Sequence, residues 1–274
     1  MWYKLKRIMM RPNGVEKQVR PAVSDSFPAL SEWNWTANES ANLGGRWQLR
    51  VKADGSRIWN GAVNTSKIYQ GDLSTSYSIS SITNSINKSP WGSISGSRDW
   101  CWSVNFSDDG NYMFLGWNSY VCRYILTTPF DINSYTLDQT VLMPDNYYFN
   151  QNRWFRISRD WHYLYGFKVI YLSTANSLTN YSLVSNSSLT DYISAEIADV
   201  QLNDSWTEWY VSVYGNRSIY RISLSTPYDF STVVLEENKS VWYQPQWVQY
   251  INNNGDKYLY ISSWYGNIYR YLLN

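Results

Sequence analysis

Residues 109–132 read Asp109-Gly110-Asn111-Tyr112-Met113-Phe114-Leu115-Gly116-Trp117-Asn118-Ser119-Tyr120-Val121-Cys122-Arg123-Tyr124-Ile125-Leu126-Thr127-Thr128-Pro129-Phe130-Asp131-Ile132. Three turns punctuate the stretch. Asp109-Gly110 suits a tight hairpin turn, because glycine takes a left-handed backbone without steric cost. Trp117-Asn118-Ser119 is a second turn, and Leu126-Thr127-Thr128-Pro129 a third. The runs between them are short and rich in aromatic and β-branched residues, which fit a pleated strand better than a helix.

The third turn recurs as Leu73-Ser74-Thr75-Ser76, Leu172-Ser173-Thr174-Ala175 and Leu224-Ser225-Thr226-Pro227. The strand texture before it also recurs, at 67–69, 219–222 and 268–273. Asp54-Gly55 and Asn254-Gly255 match Asp109-Gly110, and Trp59-Asn60-Gly61, Tyr214-Gly215-Asn216 and Tyr265-Gly266-Asn267 match the aromatic turn. Each repeat therefore reads as strand a, Asp-Gly turn, strand b, aromatic turn, strand c, Leu-Ser-Thr-Pro turn, strand d. Four short antiparallel strands per roughly 50 residues is the signature of a propeller blade. A long β-sandwich is the alternative, but three landmarks recurring in one order favour an all-β, five-bladed β-propeller of four-stranded antiparallel blades.

The fifth repeat supplies strands a, b and c only, which would leave its sheet an unpaired edge. An N-terminal strand is expected to close the ring: residues 21–36 should pair with 268–273 within a propeller spanning 21–274. Residues 1–20 are then an N-terminal arm. It carries Lys4, Lys6, Arg7, Arg11, Lys17 and Arg20 against the single acid Glu16, together with Trp2, Tyr3, Ile8 and three methionines. The arm lacks the apolar core and small-residue cleavage site of a signal peptide.

The repeats, best copied at 109–132 and 209–230, resemble propeller repeats of tailed-bacteriophage virion proteins. The leader from Tyr3-Lys4-Leu5-Lys6-Arg7 through Met10-Arg11-Pro12-Asn13-Gly14-Val15-Glu16-Lys17-Gln18-Val19-Arg20-Pro21 resembles that of tail- or fibre-associated structural proteins. The resemblance implies a virion protein made in the host cytoplasm and attached to other virion proteins through the arm, with Trp2, Tyr3, Lys4, Lys6, Arg7 and Arg11 as docking residues.

Composition excludes several other classes. The chain is 18% aromatic and only 16% charged, with 16 Trp and 25 Tyr, which argues against disorder. No apolar run is long enough for a membrane helix. Outside the arm the chain is slightly acidic, so no nucleic-acid footprint is expected. No zinc spacing or phosphate-binding glycine loop is present, and neither metal nor cofactor is expected. The single histidine, His162, has no recognisable triad around it. Inner strands expected at 47–51, 102–106, 154–158, 193–200 and 247–251 carry acids only in the fourth, Glu196 and Asp199, which alternate to opposite faces. A glycosidase needs two carboxylates facing one bond, so a non-enzymatic protein is expected. Cys101 and Cys122, two strands apart in one blade, are expected to be free thiols.

One end of such a ring collects the aromatic residues. The b–c turns bring Trp59 with Asn60, Trp117 with Asn118, Tyr214 with Asn216, and Trp264 and Tyr265 with Asn267; the d–a connections add Trp91, Trp242 and Tyr243. Flat rings beside amides suit a sugar, whose C–H face is apolar and whose rim is hydroxyl. Trp47, Trp102 and Trp247, at strand starts, are expected in the core instead. Three functions follow: a receptor-binding module for a host surface glycan, a decoration or connector protein without ligand, or a glycoside hydrolase.

Overall fold

A computed structural model describes residues 26–44, 48–61, 67–90, 103–117, 120–142, 155–158, 162–166, 169–175, 177–184, 189–203, 205, 207–253 and 256–272. Strand β1 (Glu39–Asn42) comes first in the chain but belongs to the last sheet. Blade 1 is β2 (Leu49–Val51), β3 (Arg57–Gly61), β4 (Ile68–Leu73) and β5 (Ile82–Lys88). Blade 2 is β6 (Ser103–Phe106), β7 (Tyr112–Trp117), β8 (Tyr120–Leu126) and β9 (Tyr135–Leu142). Blade 3 is β10 (Arg156–Ile157), β11 (Tyr163–Tyr165), β12 (Val169–Leu172) and β13 (Tyr181–Leu183). Blade 4 is β14 (Ile197–Leu202), β15 (Glu208–Val213), β16 (Ser218–Leu224) and β17 (Val233–Ser240). Blade 5 is β18 (Pro245–Asn253), β19 (Asp256–Ser263) and β20 (Asn267–Leu272), with β1 as its outer strand. The protein is a five-bladed β-propeller. No helix among the described residues is long and apolar enough to cross a membrane.

The strand patterns follow from position in the ring. Blades 1–5 stack face to face, so mid-blade strands are covered on both sides, and five apolar clusters fill the seams. One packs Leu49 and Ile58 of blade 1 on Trp247, Tyr260 and Ile268 of blade 5. Another sets Trp59 and Ile68 of blade 1 against Val104, Leu115 and Tyr124 of blade 2. The outer strand β9 has one wet face and alternates along its length.

The Leu-Ser-Thr turn repeats in atomic detail. The amide after the leucine donates seven residues on: Ser74 to Ser81 (3.2 Å), Thr127 to Ser134 (3.2 Å), Ser173 to Asn180 (3.0 Å) and Ser225 to Thr232 (3.4 Å). Three of these turns hold an aromatic residue at positive φ: Tyr77 (64°), Phe130 (63°) and Tyr228 (66°). Tyr77 and Phe130 lie over the Asp-Gly turn of their own blade, donating their amides to Gly55 and Gly110 carbonyls. A Cβ on Gly110 would sit 2.2 Å from the Phe130 ring, and one on Gly55 2.6 Å from Tyr77. Glycine is thus required twice over, by its φ of about +70° and by the ring above it.

The ring closes later in the chain than 21–36. The ladder with β20 is made by β1, pairing Glu39 with Arg270 and Asn42 with Asn267. Among the described residues of the expected stretch, Asn34 alone donates to the β20 backbone, to the Leu272 carbonyl (3.1 Å). Residues 26–32 do something the sequence did not announce: they replace the c–d turn that blade 5 lacks. Leu30–Glu32 forms a 3-10 turn as Ile79–Ser81 and Phe230–Thr232 do before strands d of blades 1 and 4. Phe27 stacks on Tyr210 (4.5 Å, 16°) as Tyr77 stacks on Tyr258 (5.0 Å, 12°). The Tyr210 hydroxyl donates to the Pro28 carbonyl as Tyr260 donates to that of Tyr77. The Leu30 amide bonds Glu237 Oε2 of blade 4 (2.9 Å), as Ile132 bonds Gln70 and Leu178 bonds Gln139 across the earlier seams.

Two other boundaries move. The inner strand of blade 4 is 197–202 rather than 193–200, because Leu189–Asp191 forms a 3-10 turn and Ile193 is buried ahead of the strand. Trp59 lies inside β3, opposite Gln70, whereas Trp117 ends β7 opposite Tyr120. The b–c loop of blade 1 is longer than that of blade 2, so the two Trp-Asn pairs are not equivalent. Cys122 is free and buried, which pushes its thiol up to about 11, with a hydrogen bond from Thr140 opposing. Cys101 lies outside the described residues.

Candidate functional site: an aromatic rim on blades 4 and 5

Three segments meet at the b–c end of blades 4 and 5: the β15–β16 turn, the connection after β17, and the β19–β20 turn. A closed circuit of contacts joins them. The Arg217 amide donates to the Tyr214 carbonyl (3.3 Å), and Val241 donates to the Arg217 carbonyl (2.7 Å). Trp264 donates to the Gln244 carbonyl (3.1 Å), and its ring meets Tyr214 at 5.4 Å. From this frame Trp242 and Tyr265 project into solvent, 72% and 71% exposed. Exposing two large rings at one end of adjacent blades forgoes burial that would otherwise stabilise the fold, and exposed apolar surface of this kind can mark a binding surface.

The exposed Trp242 stands on a rigid base. Its ring meets Tyr243 at 5.1 Å and Tyr269 at 5.5 Å, both edge-on. Tyr243 stacks on Tyr269 at 4.4 Å, and its hydroxyl bonds that of Tyr271 (2.7 Å). Burial holds the Tyr243 hydroxyl far above the usual phenol range and pushes Tyr271 up to about 12. Around the rim, Asn216 Nδ2 donates to the Tyr220 hydroxyl (2.6 Å) and Asn267 Nδ2 to that of Tyr269 (3.4 Å). The surface thus offers platforms for an apolar ring face and amides and phenols for hydroxyl groups.

The rim gathers Tyr214, Asn216, Trp264, Tyr265, Asn267 and Trp242 of the expected site. It does not gather the rest. Trp59 is 1% exposed, donates to Gln70 Oε1 (3.0 Å) and packs on Phe106 at 4.3 Å, so it is core. Asn60 is fully buried beside it and Tyr243 is 4% exposed beneath Trp242. Trp91, Asn118, the Trp117 side chain, and Trp2, Tyr3, Lys4, Lys6, Arg7 and Arg11 of the arm lie outside the described residues, as do Trp47 and Trp102; Trp247 is buried, as expected. Arg217 escaped sequence reasoning. Its signal was weak: an arginine closing a Tyr-Gly-Asn turn.

The axis of the ring holds a second polar assembly, built by all five blades. Arg156 grips Asp199 bidentately, at 2.6 Å through Nη2 and 3.3 Å through Nε, and gives further bonds to Gln201 and the Val248 carbonyl. Gln48 Nε2 also reaches Asp199 (3.3 Å), and Ser103 donates to Gln48 (2.6 Å). Arg50 bonds Asn105 (2.6 Å), and both guanidinium groups lie over Trp247, at 5.6 and 5.5 Å. Asp199 is 1% exposed, whereas Glu196, just ahead of β14 and across the bulge between Ile197 and Asp199, is exposed.

No family model and no curated protein matches the chain. Among solved structures it is similar to a Bacteroides uniformis protein assigned provisionally as a 6-phosphogluconolactonase (15% identity, 76% of this chain and 61% of that one, TM-score 0.46). It is also similar to a functionally unknown protein of Desulfotomaculum acetoxidans (8% identity, 78% and 64% covered, TM-score 0.38). A third is the β-propeller domain of Myceliophteria thermophila Cps50 (Swd1) (12% identity, 88% and 100% covered, TM-score 0.44). The chain spans less than two thirds of the first two. At such identities the likeness concerns fold alone, and the propeller assignment rests on the sheet topology.

Proposed function

We propose that this propeller is a non-enzymatic binding module that engages a carbohydrate through the aromatic rim of blades 4 and 5, on the virion of a tailed bacteriophage. The observation that carries the binding reading is the pair Trp242 and Tyr265, 72% and 71% exposed on a hydrogen-bonded frame. Aromatic platforms flanked by Asn216, Asn267 and Tyr220 fit the two-faced chemistry of a sugar better than they fit an apolar ligand. Binding rather than hydrolysis is favoured because Asp199 is enclosed by Arg156 and Gln48 at the axis, away from the exposed Glu196.

The virion assignment is supported by the resemblance of the repeats and of the leader at 1–20. A ligand-free decoration or connector protein is the competing reading. Glycan-array binding by the full chain separates the two: retention of host-surface glycans, lost in a Trp242→Ala, Tyr265→Ala double variant, is expected. An array on which the full chain retains nothing overturns the carbohydrate reading. Particle incorporation of a chain lacking residues 1–20 tests the attachment; normal incorporation overturns it.

A further inference from the structure

The charge on the rim selects among carbohydrates. Among the described residues, five non-glycine residues take positive φ: Tyr77, Asn84, Phe130, Arg217 and Tyr228. The three aromatic ones belong to the repeated c–d turn, and asparagine tolerates this backbone well. Arg217, at 54°, has neither excuse. In blade 5 the residue just before the third strand, as Arg217 is before β16, is Gly266 (φ 83°), which takes this backbone without strain.

The Arg217 side chain is exposed and makes no ion pair among the described residues. Other described arginines on strands b and c are engaged: Arg57 with Asp72, Arg123 with Asp138, Arg221 with Glu208 and Glu237, Arg270 with Glu39. Its backbone is locked at both ends to the rim, by Tyr214 and by Val241, the neighbour of Trp242. A guanidinium unpaired among the described residues, on a strained turn tied by its backbone to Tyr214 and to the neighbour of Trp242, is arranged for an external anion. Strain of this kind persists where function selects it.

We infer that the rim takes an acidic glycan, one bearing carboxylate or phosphate, whose sugar ring lies on Trp242 and Tyr265 while its anionic group meets Arg217. This rests on the carbohydrate reading above and names the class of sugar. Guanidinium matches carboxylate and phosphate oxygens with paired donors, which hydroxyl groups of a neutral sugar do not. Glu196 also lies on this end of blade 4; its carbonyl accepts from Tyr214 (2.8 Å). It precedes β14 while Arg217 precedes β16, two strands away in the same sheet.

The test is the full chain on an array of uronic-acid, sialic-acid, phosphodiester and neutral glycans, with Arg217→Gly as the variant. Glycine removes the guanidinium and suits the backbone, so melting should be unchanged or raised. At least one acidic class should bind about fivefold more tightly than neutral glycans, and the advantage should vanish in the variant and fall with added salt. Which acidic class responds separates carboxylate from phosphate. Equal binding of neutral and acidic glycans, or equal loss of both in Arg217→Gly, overturns this inference while leaving the carbohydrate reading intact. Binding to no glycan overturns both.

Discussion

Arg270 on β20 pairs with Glu39 on β1, as Arg123 pairs with Asp138 in blade 2 and Arg221 with Glu237 in blade 4. In those blades the partners lie about one hairpin apart; here nearly the whole chain lies between them. Glu39 also accepts from Ser78 Oγ (3.0 Å) and the Ser80 amide (3.1 Å) of blade 1. One carboxylate thus completes blade 5 and fastens it to blade 1.

Glu39→Ala should therefore destabilise more than Asp138→Ala, by a loss of about 2 kcal/mol, since it removes a charged acceptor from three donors, two of them partly buried. Deleting residues 1–42 should abolish the cooperative unfolding transition, because the missing turn and strand go together. Chemical denaturation of the three proteins checks both. Equal effects of the two point variants would mean that the closing seam is no more than an ordinary hairpin.

Rim and core aromatics should respond oppositely to truncation. Trp242→Ala and Tyr265→Ala should change stability by under about 0.5 kcal/mol while weakening glycan retention. Trp59→Ala should cost about 3–5 kcal/mol, as expected for emptying a buried aromatic site. Melting temperature read beside array binding separates the two sets.

Gly110→Ala should be costly for its size. The added methyl meets the Phe130 ring and the backbone is left-handed, so a loss of at least about 2 kcal/mol is expected. An alanine at Gly215, where the nearest atom to an added Cβ is 3.6 Å away, should be tolerated. Thermal unfolding of the pair makes the comparison.

Alkaline pH should loosen the base of the rim. Tyr271 is raised from near 10 to about 12 by burial, with the Tyr243 hydrogen bond opposing, and Tyr243 is raised further. A raised phenol favours the folded protein fully below the unfolded value near 10, and that contribution is lost as pH climbs through about 12. The stability of the parent relative to Tyr271→Phe should therefore be flat below about pH 10 and fall above it. Phenolate absorbance and denaturant midpoints measured along the same pH series test this.

Local signals were readable wherever one residue's chemistry decides the backbone. Asp109-Gly110 and Leu126-Thr127-Thr128-Pro129 announced their turns because a left-handed glycine and a hydroxyl-knit bend need no distant partner. Their period announced five blades, and the missing fourth strand of the last repeat announced that the N-terminal side must close the ring. Tertiary structure alone decided the rest. Trp59 and Trp242 both sit in short aromatic-polar stretches, and only the blade 2 residues covering Trp59 and the stacked tyrosine base beneath Trp242 make one core and the other rim. Nothing local marks residues 26–32 as a substitute turn, since their partners Tyr210 and Glu237 lie in blade 4. Arg156 and Asp199 come from neighbouring blades and meet only when blades 3 and 4 pack together. Sequence pattern sets which face of a strand is apolar, over a few residues; which strands then face one another across a seam or an axis depends on how the blades are arranged around the ring, and that is a property of the whole chain.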